Sequence, residues 1–249
     1  MPIVQALTRV LAHQTAYTSA NASYVDARYP HSKLSKQMLK AVFDDAQLSF
    51  QHTPLFYVEA GCMYGYSLLK AFKISEKMKM NVEFVAIDPF TGDTNMWDWE
   101  ERSAKKEKFR HLHLENGQPT IFERFLANTK VLRKHLIPIR TTSIVGFKLL
   151  GRLYTQKRLP YLPHIIYLDS AHELGETYIE LQIAWNILQC NGILYGDDWD
   201  WPAIKHDVSR FVTDKKIPMF HGAKYLGSST SDILFVSRTD KQWIVKKVC

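Results

Sequence analysis

Two short apolar runs, His164 to Leu168 and Gly192 to Tyr195, bracket an amphipathic segment, and both runs end on acid: Asp169 after the first, Asp197 and Asp198 after the second. Such runs fit strands buried on both faces, and a helix between two of them makes a βαβ unit. The crossover in that unit is right-handed, so both strands finish on one edge of the sheet, where open α/β sheets bind ligands. Asp169, Asp197 and Asp198 are therefore predicted to meet. Three carboxylates at close range repel one another unless protons or a cation neutralise them. An all-oxygen set favours a hard divalent ion such as Mg²⁺, which retains waters and leaves positions open. His172 lies three residues past Asp169 and is placed to lean over the same site. Its ordinary pKa of about 6.5 suits it to accept a proton near neutrality. Taken singly, each feature has a plainer reading: a helix-capping Asp169, a surface His172, a solvated Asp197–Asp198 turn. The combination favours a site.

A second unit lies upstream. Leu55 to Val58 read as a buried strand, and a turn bearing Gly61 and Gly65 opens a helix that carries Leu68, Leu69 and Phe72. Glycine in such a turn lets backbone amides approach a ligand at a helix N-terminus. The pattern from Glu59 is ExGxxxG, which is neither the dinucleotide fingerprint nor a P-loop. Glu59 at the strand end repels a pyrophosphate and suits a cationic ligand. The next strand, Val82 to Ile87, ends on Asp88, the place from which an acid takes the hydroxyls of a ribose. In series, Glu59 and Asp88 describe an adenosyl pocket without phosphates.

Here the motifs resemble a known class. The run EAGCMYGYS from Glu59 to Ser67, Asp88 on the next strand, and the set Asp169, His172, Asp197 and Asp198 resemble class I S-adenosylmethionine-dependent methyltransferases. Within the class, the resemblance is to metal-dependent O-methyltransferases of the macrocin type, which act on sugars, and more distantly to catechol O-methyltransferase. The phrase DPFTGD from Asp88 to Asp93 also looks like that broader group. The resemblance spans roughly Leu55 to Phe211. It implies a Rossmann-like α/β fold: a seven-stranded sheet, mostly parallel, with an antiparallel C-terminal hairpin. It also implies that Glu59, Gly61, Gly65 and Ser67 line the methionine and sulfonium end of S-adenosylmethionine, that Asp88 holds its ribose, and that Ser143 stands near its adenine. Asp169, Asp197 and Asp198 would then hold a divalent metal, with His172 as the base. Lysine is usual at the base position of the catechol enzymes, so His172 points towards a sugar. The implied acceptor is a small molecule or glycan with neighbouring hydroxyls, including a nucleotide-linked sugar. Other readings are a catechol-type enzyme and a non-catalytic scaffold that binds the cofactor.

The remaining chain fits one methyltransferase domain over residues 1–249. Residues 1–50 form a helical preface: Ile3, Val4, Leu7, Val10 and Leu11 share one helix face, and Leu34, Met38, Leu39, Val42 and Phe43 share another from Ser32 to Gln47. Both helices are expected to cover the sheet and border the cleft, with a polar loop from Ala20 to His31 between them. The stretch 90–134 reads either as a solvated charged face or as a substrate lid, its Trp97 and Trp99 stacking on a sugar and Arg102, Lys105, Lys106 and Lys108 meeting acidic groups. Leu149 to Pro163 reads as a second basic, aromatic insert. Trp199 belongs either to the core or to the acceptor wall. A helix from Pro202 to about Val212 precedes two closing strands, Asp232 to Val236 and Trp243 to Lys247. Net charge is +7, modest for a nucleic-acid binder, and no RNA-binding motif accompanies it. Cys62, Cys190 and Cys249 are far apart and odd in number, so reduced thiols and a cytoplasmic setting are expected. No apolar run is long enough to span a membrane.

Overall fold

In the computed structural model the described residues are 2–18, 34–50, 54–97, 109–170, 172–222, 232–237 and 239–249. Strands β1 (Leu55–Ala60), β2 (Val82–Asp88), β5 (Leu136–Arg140), β6 (Ile165–Leu168) and β7 (Ile193–Gly196) run parallel. Their side chains alternate between two cores. Phe56, Val58 and Ala60 face one, while Leu55 and Tyr57 face the other. This explains why the runs are apolar throughout rather than alternating: helices cover both faces.

On one face lie α1 (Ile3–Val10), α5 (Ser143–Thr155), α6 (Glu176–Ile187) and α7 (Pro202–Asp214). On the other lie α2 (Lys36–Ser49), α3 (Tyr66–Lys77) and α4 (Ile121–Thr129). The helix α2 begins where Ser35 accepts a hydrogen bond from the Met38 amide at 3.2 Å. Two helices fall within residues 1–50, but they sit on opposite faces of the sheet and neither contributes to the cavity described below.

The strand order is β5-β2-β1-β6-β7-β10-β9-β8, with β8 (Met219–Gly222), β9 (Ile233–Ser237) and β10 (Trp243–Lys246) completing the sheet. β9 and β10 form the expected antiparallel hairpin, and β8 adds an eighth strand, parallel to β9, beyond the seven predicted. The sequence MFHG of β8 is short and exposed, so it lacks the apolar signal that marks the buried strands. A two-residue ladder joins β3 (Leu114–Glu115) to β4 (Gln118–Pro119).

Two further sequence expectations change. Most of Leu149 to Pro163 is not an insert but the end of α5, the crossover helix after β5, and the turn that follows it. Cys190 and Cys249 are joined in a disulfide, and only Cys62 is free, buried beneath the first turn. A separation of 59 residues hid that pairing, which β10 creates by returning beside β7. The polar loop Ala20 to His31, and Trp99, Arg102, Lys105, Lys106 and Lys108 of the expected lid, lie outside the described residues. Among the described residues, no helix is long and apolar enough to cross a membrane.

Candidate active site

Right-handed crossovers bring the tips of β1, β2, β6 and β7 to one edge, where a cavity of about 380 Å³ opens. That size lies within the usual range for a small-molecule site. One wall is the turn Gly61–Ser67, another is Asp88 to Met96, and the far side holds Asp169, His172, Asp197, Asp198 and Trp201. Three non-glycine residues on these loops have positive φ. Met63, Phe90 and Asp198 have φ of 43°, 57° and 55°. For bulky Phe90 this is costly, and its ring is clamped by Phe122 and Phe125 with centroids at 4.8 and 4.9 Å.

On the β1 side, Gly61 is fixed by close approach. At its φ of 83°, an added Cβ would stand 2.0 Å from the Asp169 carbonyl oxygen. Gly65, at φ 81°, caps α3, and a Cβ there would strike Thr129 of α4, so helix packing is what excludes a side chain. Glu59 is fully buried and receives the Ser67 hydroxyl, yet its Oε2 has no partner among the described residues. Burial pushes its pKa up to about 8, the Ser67 and Tyr57 hydroxyls working against that rise and Asp88 adding to it. Asp88 lines the cavity, but its carboxylate already accepts backbone amides: Cys62 at 2.7 Å, Met63 at 2.8 Å and Phe90 at 2.5 Å. It therefore locks the turn after β1 to the tip of β2. Burial raises its pKa against those three bonds. Ser143 is away from the cavity wall; at the start of α5, its hydroxyl bonds Glu180.

On the β6 and β7 side the acids converge. Asp169, His172 and Asp198 each offer a ligand atom, all within 4.8 Å of one another. Asp197 lines the same cavity; after burial, its charge is the next largest influence raising the pKa of Asp169, ahead of Asp198. The compact trio thus contains His172 where the sequence predicted Asp197. Imidazole Nε2 stands 3.2 Å from Asp198 Oδ2, and Nδ1 stands 3.4 Å from Asp93 Oδ2. Burial lowers the pKa of His172, but the bond to Asp198 and the charges of Asp169, Asp198 and Asp93 outweigh it, and the net shift is upwards. Asp169 is not a helix cap: α6 starts at Gly175, whose amide donates to Asp207 of α7 at 2.7 Å.

The chemistry of this donor set fits a hard divalent cation: carboxylates and one imidazole, partly buried, repelling each other, and close enough to share an ion. On the β1 side no basic side chain projects from the Gly61–Ser67 wall to hold a phosphate, and Glu59, whose Oε2 has no partner among the described residues, lies fully buried behind Ser67 rather than on the cavity wall. Three site residues went unassigned in the sequence. Asp93 sits in the DPFTGD phrase, whose signal was there without a role. Glu180 accepts Ser170 at 2.7 Å beneath Asp169, and no local pattern announces it. Trp201, not Trp199, faces the cavity, its ring 5.1 Å from that of His172, whereas Trp199 is core.

No protein-family model and no curated protein matches the sequence. Among solved structures, the chain is similar to the O-methyltransferase NovP, with TM-score 0.57 and 14% identity over 99% of this chain and 97% of that one. The apo structure of CalS11, a TDP-rhamnose 3'-O-methyltransferase, gives TM-score 0.49 and 13% identity over 98% and 92%. At such identities the first likeness shows the fold alone, that of NovP.

Proposed function

We propose that this chain is an S-adenosylmethionine-dependent, divalent-metal-dependent O-methyltransferase acting on one hydroxyl of a vicinal diol, on a sugar or glycan. The observation that carries the reading is the single cavity shared by the Gly61–Ser67 turn and the Asp169, His172, Asp198 cluster. In support, the fold is like that of NovP, an O-methyltransferase.

Asp169, Asp197 and Asp198 would hold the ion, and Gly61, Ser67 and Asp88, with Glu59 behind Ser67, would border the cofactor. When bound, the cofactor supplies a methyl group activated on a sulfonium, and the ion supplies Lewis acidity to an alcohol whose proton is otherwise too tightly held. The rest falls to the chain. Asp169 and Asp198 fix the orientation of the diol, which is where most of the positioning advantage arises. His172, whose Nε2 faces the acids, takes the hydroxyl proton. Trp201 offers an apolar face beside His172 against which a pyranose ring packs. Asp93, Asn95, Met96, His111 and Ile121, on the cavity wall, would border the acceptor.

The test is release of S-adenosylhomocysteine from nucleotide sugars, glycosides and catechols, with and without Mg²⁺. Turnover on a sugar diol that is lost on chelation and restored by Mg²⁺ is expected. Undiminished activity after chelation overturns the metal dependence, and turnover of catechols alone overturns the sugar.

A further inference from the structure

Each of three site acids is preceded, two residues earlier, by a tyrosine: Tyr57 before Glu59, Tyr167 before Asp169, Tyr195 before Asp197. The three strands concerned, β1, β6 and β7, are neighbours in the sheet. Their registers place Tyr167 opposite Tyr195, and Glu59 opposite Tyr167. Because side chains repeat every second residue along a strand, the three rings fall on one face of the sheet, directly below the acid-bearing edge.

All three rings are fully buried in the core under α2 and α3. Phenylalanine would fill the same volume without a hydroxyl to satisfy, and a buried hydroxyl left unpaired is costly. The partners these hydroxyls find are one another and the site. Tyr57 and Tyr195 share a hydrogen bond of 2.6 Å. Tyr167 donates to Asp169 Oδ2 at 3.3 Å, and its ring packs on that of Tyr195 with centroids 4.6 Å apart. Tyr57 lies two residues before Glu59 on the same strand face, and Ser67 bonds the Glu59 carboxyl from the cavity side.

We infer that Tyr57, Tyr167 and Tyr195 are positioning residues, a tier of phenols that fixes the carboxylate of Asp169 from beneath, underlies that of Glu59 and links the cation side of the cavity to its cofactor side. Tyr167 governs the cation side, Tyr57 the cofactor side, and Tyr195 joins them. The inference rests on the functional reading above, because it assumes that Asp169 meets a cation and Glu59 the cofactor.

The test is equilibrium binding to the full chain, with Mn²⁺ and S-adenosylhomocysteine as the two probes, in wild type and in the Tyr167→Phe, Tyr57→Phe and Tyr195→Phe variants. Groups that orient metal ligands are worth about 10- to 100-fold in metal affinity. Tyr167→Phe should weaken Mn²⁺ by about the lower figure while leaving S-adenosylhomocysteine within about twofold. Tyr57→Phe should do the reverse. In Tyr195→Phe, saturating Mn²⁺ should change S-adenosylhomocysteine affinity less than it does in wild type. Phe56→Leu, on the opposite sheet face, is the control for general loosening of the core. Unchanged Mn²⁺ affinity in Tyr167→Phe, or an equal loss in Phe56→Leu, overturns the inference and leaves the functional reading standing. A wild-type chain that binds neither probe overturns both.

Discussion

Two of the places where this protein buries carboxylates treat the charge in opposite ways. At the end of the sheet away from the cavity, Asp45 of α2 meets Lys246 of β10 at 2.5 Å, with both side chains no more than 5% exposed. The charge is balanced within the chain. At the other end, Asp169, Asp197 and Asp198 crowd together beside the His172 imidazole on a cavity wall, and burial and mutual repulsion push Asp169 well above the ordinary carboxylate range. A buried acid paired with a buried lysine is a structural use of charge, whereas acids that repel one another at the mouth of a cavity suit something that arrives from outside. The contrast separates a structural from a functional use of the same chemistry.

The sharpest way to break the contrast is Asp169→Asn. Methyl transfer and Mn²⁺ binding should fall to background, while the cation-free chain should melt higher than wild type because a repelled, buried charge is gone. A lower melting temperature would place Asp169 with the structural acids. Next comes His172→Gln, expected to lower turnover by about 10²- to 10⁴-fold with S-adenosylhomocysteine binding intact, as befits a base. Wild-type turnover in this variant would remove His172 from proton transfer. On the structural side, Lys246→Met takes the paired cation from buried Asp45 and should cost about 3–5 kcal/mol in denaturant unfolding, with most of it recovered in Asp45→Leu/Lys246→Met. Failure of the double variant to recover would show that the pair holds more than its own charge.

The smallest effect concerns pH. The folded-state pKa of Glu59 is raised from 4.5 to about 8, so the stability it contributes is complete below 4.5 and lost as pH rises towards 8. Thermal melts of the ligand-free chain across that window should therefore decline more steeply for wild type than for Glu59→Gln. Equal slopes would mean that Glu59 ionises in the fold as it does in water.

Much of this fold is legible in one sequence because its strands are buried on both faces. Leu55–Ala60, Val82–Asp88 and Ile165–Leu168 are nearly continuous apolar runs, and the acids that end them mark the functional edge. Exposed β8 has no such pattern, and the disulfide between Cys190 and Cys249 depends on how the last strand returns. Within the candidate site, residues next to a strand tip were identifiable. Those acting across the fold, such as Asp93 on His172 and Glu180 under Ser170, were not, since nothing in their own neighbourhood names their partner.

The sequence alone determined the βαβ order, the parallel sheet and which acids end its strands, since these follow from local periodicity and from the fixed hand of the crossover. Only the tertiary structure decided that His172 joins Asp169 and Asp198, that Asp88 is engaged by its own backbone, that Ser143 turns to Glu180, and that Trp201 rather than Trp199 meets the cavity. The physical reason is range. Side-chain alternation is set by neighbours along the chain, whereas a hydrogen bond or a shared cavity is set by loop conformation and by which distant surface packs opposite.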